Sequence, residues 1–150
     1  MKDLTFSESA LCVLPKTLEE FYAHNPEDLS PHSLHMLRIS AKKLRYTLEL
    51  FETCYGDRLE TFIASIKELQ EILGDIHDCD VMIDFLHKRV QMLLQSNRDL
   101  LGSIAAVLSR LETQRIEMAA RFKEFWKQNI GEGFRERLRE VINSPTSLVE

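Results

Sequence analysis

Glycine and proline are scarce, five and four among 150 residues. These residues punctuate turns, so their scarcity argues against many short strands and for a few long helices. The three cysteines, Cys12, Cys54 and Cys79, are odd in number and far apart. That pattern is neither a closed disulfide framework nor a CxxC metal site; each reads as a small, reduced, apolar residue near a helix face. No apolar run approaches the roughly 18 residues needed to span a bilayer. The first residues, MKDLTFSESALCVLPK, put Asp3 and Glu8 around a short apolar patch, unlike the clean apolar centre of a signal peptide. A cytoplasmic protein that does not enter a membrane is the expectation. Nor is there a basic excess: the net charge of −5 argues against a general nucleic-acid binder, while leaving room for a local anion site.

What is present is ordinary soluble composition, 44% hydrophobic and 29% charged, in a chain long enough for one domain and too short for two full ones. Residues 1–150 therefore read as a single domain. Apolar residues recur at spacings of three and four almost throughout. A first helix is expected near 7–23, with Leu11, Leu14, Leu18 and Phe21 on one stripe. The pair Ser30 and Pro31, N-cap and first helical position, opens a second that runs to about residue 54. A third, near 57–73, carries Leu59, Phe62, Ile66, Leu69 and Leu73 and is expected to break at Gly74. A fourth begins at Asp75 with acidic residues in its first turns and Lys88 and Arg89 later, the order that the helix dipole favours. A fifth covers about 99–128, Gly131 and Gly133 punctuate a short sixth, and residues 144–150 read as a frayed tail. The fold class is all-α, an antiparallel bundle of five to six helices.

The second helix is unusual. His35, Arg38, Lys42 and Arg45 step by three, four and three, so they form one stripe, which Glu49 extends. Leu34, Leu37, Ala41, Leu44, Leu48 and Phe51 flank it on one side, and Ile39, Tyr46 and Leu50 on the other. Lys43 points away with Ser40 and Thr47. A solvated face places its charges opposite the core stripe, not between two apolar ones. Cations so bracketed line a groove, pore or interface, and a bound polyanion would relieve their mutual repulsion. The other reading is that the arginines reach carboxylates on neighbouring helices, with Asp75, Asp78, Asp80 and Asp84 available. Spacing leaves both open.

These residues carry a resemblance. The run LHMLRISAKKLRYTLELFETCYG, followed by IKELQEILGDIHDCDVMIDFL, resembles the CHAD domain, the conserved-histidine α-helical domain, closely over residues 31–86 and more loosely around ARFKEFW. The features are His35 three residues before Arg38, the run from Lys42 to Tyr46, and the set Leu69, Gln70, Leu73, Gly74, His77 and Asp78. The resemblance implies a non-catalytic helical protein that binds inorganic polyphosphate, or another polyanion, in a basic channel. Carried over by position, the binding residues would be His35, Arg38, Lys42 and Arg45, with Lys67 on the next helix and, on the looser segment, Arg121, Lys123 and Lys127. A complete CHAD domain resembles two related helical halves. This chain carries the basic motif once, so a homodimer would supply the second half by two-fold symmetry.

Phosphate chains offer charge density and little else to recognise; arginine gives them forked hydrogen bonds and lysine a mobile point charge. His35 serves either as a donor to the anion or as a packed histidine tying two helices together. The cluster His77, Asp78 and Asp80 invites a metal-dependent phosphohydrolase, but adjacent ligands on a helix point in different directions. A structural role at a helix start is the stronger reading. No nucleophile arrangement and no Gly-rich phosphate loop is present, and no metal or cofactor is expected. Trp126, Phe122 and Phe125 read as core anchors, and Glu19, Glu20, Glu68 and Glu71 as solvated surface. The rival function is a helical scaffold whose basic stripe meets an acidic protein partner.

Overall fold

The computed structural model describes residues 4–94 and 98–146. Among them are five α-helices and no strand. Helix α1 spans Phe6–Tyr22 and opens on a reciprocal cap: the Glu8 amide donates to Thr5 Oγ1 at 3.2 Å, and the Thr5 amide donates to the Glu8 carboxylate at 2.7 Å. Such a box satisfies two amides that the first turn leaves unpaired. Its buried stripe is Ala10, Leu14, Thr17, Leu18 and Phe21; Leu11, expected inside, is exposed. Helix α2 spans Pro31–Leu50 and starts where expected, the Ser33 amide donating to Ser30 Oγ at 3.4 Å. It ends four residues early in a 3₁₀ turn over Glu52–Cys54.

The main departure from expectation is α3, a single helix over Glu60–Leu93. Gly74 does not break it. A helical glycine costs roughly 1 kcal/mol relative to alanine, and Ile72, Leu73 and Ile76, buried around it, outweigh that. The segment from Asp75 to Asp80 is consequently mid-helix, not a capped start. Helix α4 spans Arg98–Phe125 and continues into a π turn over Trp126–Ile130; α5 spans Glu132–Ile142. The tail is not loose as far as Thr146. Its amide and hydroxyl both donate to the Cys54 carbonyl at 2.9 Å, and Arg58 donates to the Ser144 carbonyl. Residues 147–150 of the expected frayed tail lie outside the described residues.

Helices α1 to α4 run antiparallel, each to the next, and α5 runs antiparallel to α1. Phe6 meets Phe51, joining the start of α1 to the end of α2. The ring of His35 stacks on that of His77, joining the start of α2 to the middle of α3. Arg115 meets Asp80, joining α3 to α4. The core takes Leu14 and Phe21 from α1, Leu37 and Leu44 from α2, Ile66 and Leu69 from α3, Phe122 from α4, and Phe134 and Leu138 from α5. Phe122 is fully buried, while Phe125 and Trp126 pack against the core from its edge. Glu19 and Glu20 are not merely solvated. Glu19 bonds Arg139 at 2.7 Å and Arg135 at 2.8 Å on α5, and Glu20 bonds Lys43 at 2.5 Å on α2. Cys54 and Cys79 are buried free thiols; Cys12 is free and exposed.

Candidate functional site: the seam between α2 and α3

The cation stripe of α2 lies where the core ends. On one side Leu34, Leu37, Ala41, Leu44 and Leu48 are buried; on the other, Met36, Ile39, Tyr46 and Leu50 are exposed. His35, Arg38, Lys42 and Arg45 are half-buried between them. What faces them is α3. The His35 and His77 rings lie 4.6 Å apart, 23° from coplanar. A β-carbon at Gly74 would sit 3.8 Å from Arg38 Nε. Both contacts obey one antiparallel register, since helices rise equally per residue. The same register brings Lys42 level with Gln70 and Arg45 level with Lys67. Lys67, Gln70, Gly74 and His77 step by three, four and three, so they share one stripe of α3.

The seam holds polar atoms without partners. Among the described residues, five buried side-chain nitrogens or oxygens make no hydrogen bond, and four of them are here: His35 Nδ1, Arg38 Nε, Arg45 Nε and Gln70 Oε1. The fifth, Arg135 Nε, belongs to a guanidinium whose other nitrogens already hold Glu19 and Glu132. Arg45 has a longer contact to Glu49 at 3.5 Å and lies over the Tyr46 ring at 4.7 Å. Among the described residues no carboxylate comes within ion-pairing distance of Arg38, Lys42 or Lys67. The carboxylates considered as internal partners are elsewhere. Asp80 holds Arg115 at 2.9 Å, and that arginine also donates to the Leu29 carbonyl at 2.6 Å. Asp84 holds Lys88 at 2.8 Å, while Asp75 and Asp78 are exposed. Buried polar groups are normally satisfied by protein or by ordered water, so these four atoms leave hydrogen-bonding capacity in the seam for solvent or a ligand to take up.

The later basic residues do not join this seam. Lys123 and Lys127 line an open cleft of about 410 Å³ with Pro26, Glu27, Glu124 and Trp126, and Lys123 lies 3.9 Å from Glu27. No residue of the α2–α3 seam lines that cleft, and its cations share it with carboxylates. Arg121 is exposed on α4. Two residues belong to the seam that the basic pattern alone did not assign, Gln70 and His77. Their signal was present: both fall on the Lys67 stripe, and only the assumed break at Gly74 hid the continuity. His77, Asp78 and Asp80 go three ways, onto His35, into solvent and onto Arg115. Among the described residues no three His, Cys, Asp or Glu side chains are grouped to hold a metal, and no helix is long and apolar enough to cross a membrane.

Comparison with known proteins agrees with the motif reading. The family model described as CHAD domain matches residues 4–87, more than half of the chain. No curated protein and no solved structure matches it. From the family match, and from a seam that joins His35, Arg38, Lys42 and Arg45 to Gln70, Gly74 and His77, the chain belongs to the CHAD domain family.

Proposed function

We propose that this chain binds inorganic polyphosphate, or another linear polyanion, along the α2–α3 seam, and that it does so without catalysing a reaction. The observation that supports this most is the set of unpartnered nitrogens on His35, Arg38 and Arg45, with Lys42 and Lys67 free of carboxylates at the same levels. From His35 to Arg45 the α2 stripe rises ten residue steps, about 15 Å at 1.5 Å each. A phosphate chain laid there offers an oxygen to each donor in turn. Arg38 and Arg45 supply directional hydrogen bonds and Lys42 and Lys67 mobile charge, and Gly74 leaves room for the Arg38 guanidinium to pass α3. Unpaired free thiols fit the reducing cytoplasm, which we take as the compartment.

A second reading has one observation in its favour. Met36, Ile39, Tyr46 and Leu50 are exposed beside the cations, which an acidic protein segment with apolar side chains would use and a phosphate chain would not. One titration separates the two. Long-chain polyphosphate should bind the whole chain tightly at low salt and weaken steeply as salt rises, because each neutralised charge releases counterions. Replacing Arg38, Lys42 and Arg45 together by glutamine should abolish binding and leave the helical circular dichroism intact. No binding of the unaltered protein at low salt would refute the phosphate reading; unchanged binding by the triple variant would refute the site.

A further inference from the structure

Helix α3 outlasts its neighbour. The register that sets His35 against His77 puts Pro31, where α2 begins, level with Val81. Past that point, among the described residues, α3 has only α4 alongside, and two helices cannot cover each other on every face. The uncovered side is patterned. Asp75, Asp78, Met82, Phe85, Arg89 and Met92 step by three, four, three, four and three, and all six are exposed. That alternation is the a/d repeat of a coiled-coil seam. Phe85, Arg89 and Met92 border an open groove of about 540 Å³ whose far wall is Leu100 and Ile104 of α4.

We infer that this stripe docks against the same stripe of a second copy of the chain, antiparallel about a two-fold axis between Met82 and Phe85. The spacing is palindromic, so each a position meets a d position: Met82 lies against Phe85 of the second copy, Asp78 against its Arg89, and at the two ends of the stripe Asp75 against its Met92. Neither Asp78 nor Arg89 has a carboxylate or cation partner among the described residues, whereas Asp84 and Lys88 satisfy each other. Charge complementarity and the meeting of Met82 with Phe85 thus arise in one register. A lipid surface or a wholly apolar peptide would leave Asp78 unpaired. The stripe is about 25 Å long at 1.5 Å per residue. The inference rests on the α3–α4 hairpin and is independent of the phosphate reading.

Sedimentation equilibrium on the whole chain at tens of micromolar should read the mass of two chains. Phe85→Asp should reduce it to one chain with unchanged helical circular dichroism. Asp78→Arg and Arg89→Asp should each weaken the dimer by about 10-fold or more, since each like-charge clash occurs twice across the axis. The double variant Asp78→Arg/Arg89→Asp should restore it. A single-chain mass for the unaltered protein at hundreds of micromolar would overturn the inference. So would a dimer indifferent to Phe85→Asp, or a double variant no tighter than the singles.

Discussion

Glu19 ties the first helix to the last. Its hydrogen bond from Arg139, with the charge and hydrogen bond of Arg135, holds its carboxyl below the ordinary value of 4.5. Glu8, Glu20 and Asp28 are lowered too, by the Thr5 amide, by Lys43 and by Ser33 respectively. A carboxyl depressed in the folded state contributes stability that is complete above the unfolded value and is lost as pH falls through the folded one. The melting temperature should therefore fall progressively once the pH drops below about 4.5. Glu19→Gln should flatten that acid limb while lowering stability near neutrality; an acid limb as steep as in the unaltered protein would refute the assignment. Two leucines of α2 make the complementary test of packing. Leu44 is fully buried and Leu50 is 61% exposed. Leu44→Ala should cost about 2–5 kcal/mol in urea unfolding, and Leu50→Ala should stay within about 0.5 kcal/mol. The wheel of α2 put the two on different flanks of the cation stripe, but that the Leu50 flank is uncovered came from the structure. That Glu19 bridges to α5 was not readable in the sequence, because the 116 residues separating it from Arg135 carry no periodic signal linking them.

At the scale of the element, Gly74 is where local reasoning failed. A lone glycine followed by an acidic run has the form of a helix end and a new start. What overrode it was burial on two sides, α2 against one face of α3 and α4 against another, which no local window reports. The start of α2 was legible because Ser30 and Pro31 act within adjacent residues, whereas the Thr5 and Glu8 cap that opens α1 was not used in placing that helix. The site was half legible for the same reason. The α2 stripe is local, whereas Gln70 and His77 enter it only through the register between two helices. Gly74 also yields a prediction with opposite signs for two substitutions. A β-carbon there meets only Arg38 Nε, at an ordinary contact distance of 3.8 Å, so Gly74→Ala should stabilise the protein by about 0.5–1 kcal/mol through helix propensity. Gly74→Leu would need the space that the Arg38 side chain occupies, and should weaken polyphosphate binding several-fold. If leucine leaves binding unchanged, the Arg38 side chain does not depend on that opening.

For the whole molecule, the family match and the folding unit have different extents. The match ends at residue 87, inside α3, yet the core continues beyond it. Phe122, Ile130, Phe134, Leu138 and Ile142 are all buried. They close the bundle against the first half: the Trp126 ring lies 5.5 Å from Phe21, Phe134 lies edge-on to Phe62 at 5.2 Å, and the buried Tyr55 hydroxyl donates to the Ile142 carbonyl at 2.8 Å. Burial of a large apolar side chain contributes about 1.5–3 kcal/mol, so five of them together supply on the order of 10 kcal/mol. That is comparable to the entire stability of a domain, about 5–15 kcal/mol. A fragment comprising residues 1–94 keeps α1, α2, α3 and every residue of the α2–α3 seam, but it exposes the core faces that α4 and α5 cover. It should show no cooperative urea transition and should retain only weak polyanion binding, the charges being present without the packing that orders them. A sharp two-state transition in that fragment would mean that the first three helices are an independent unit, and that α4 and α5 serve the interface rather than the core.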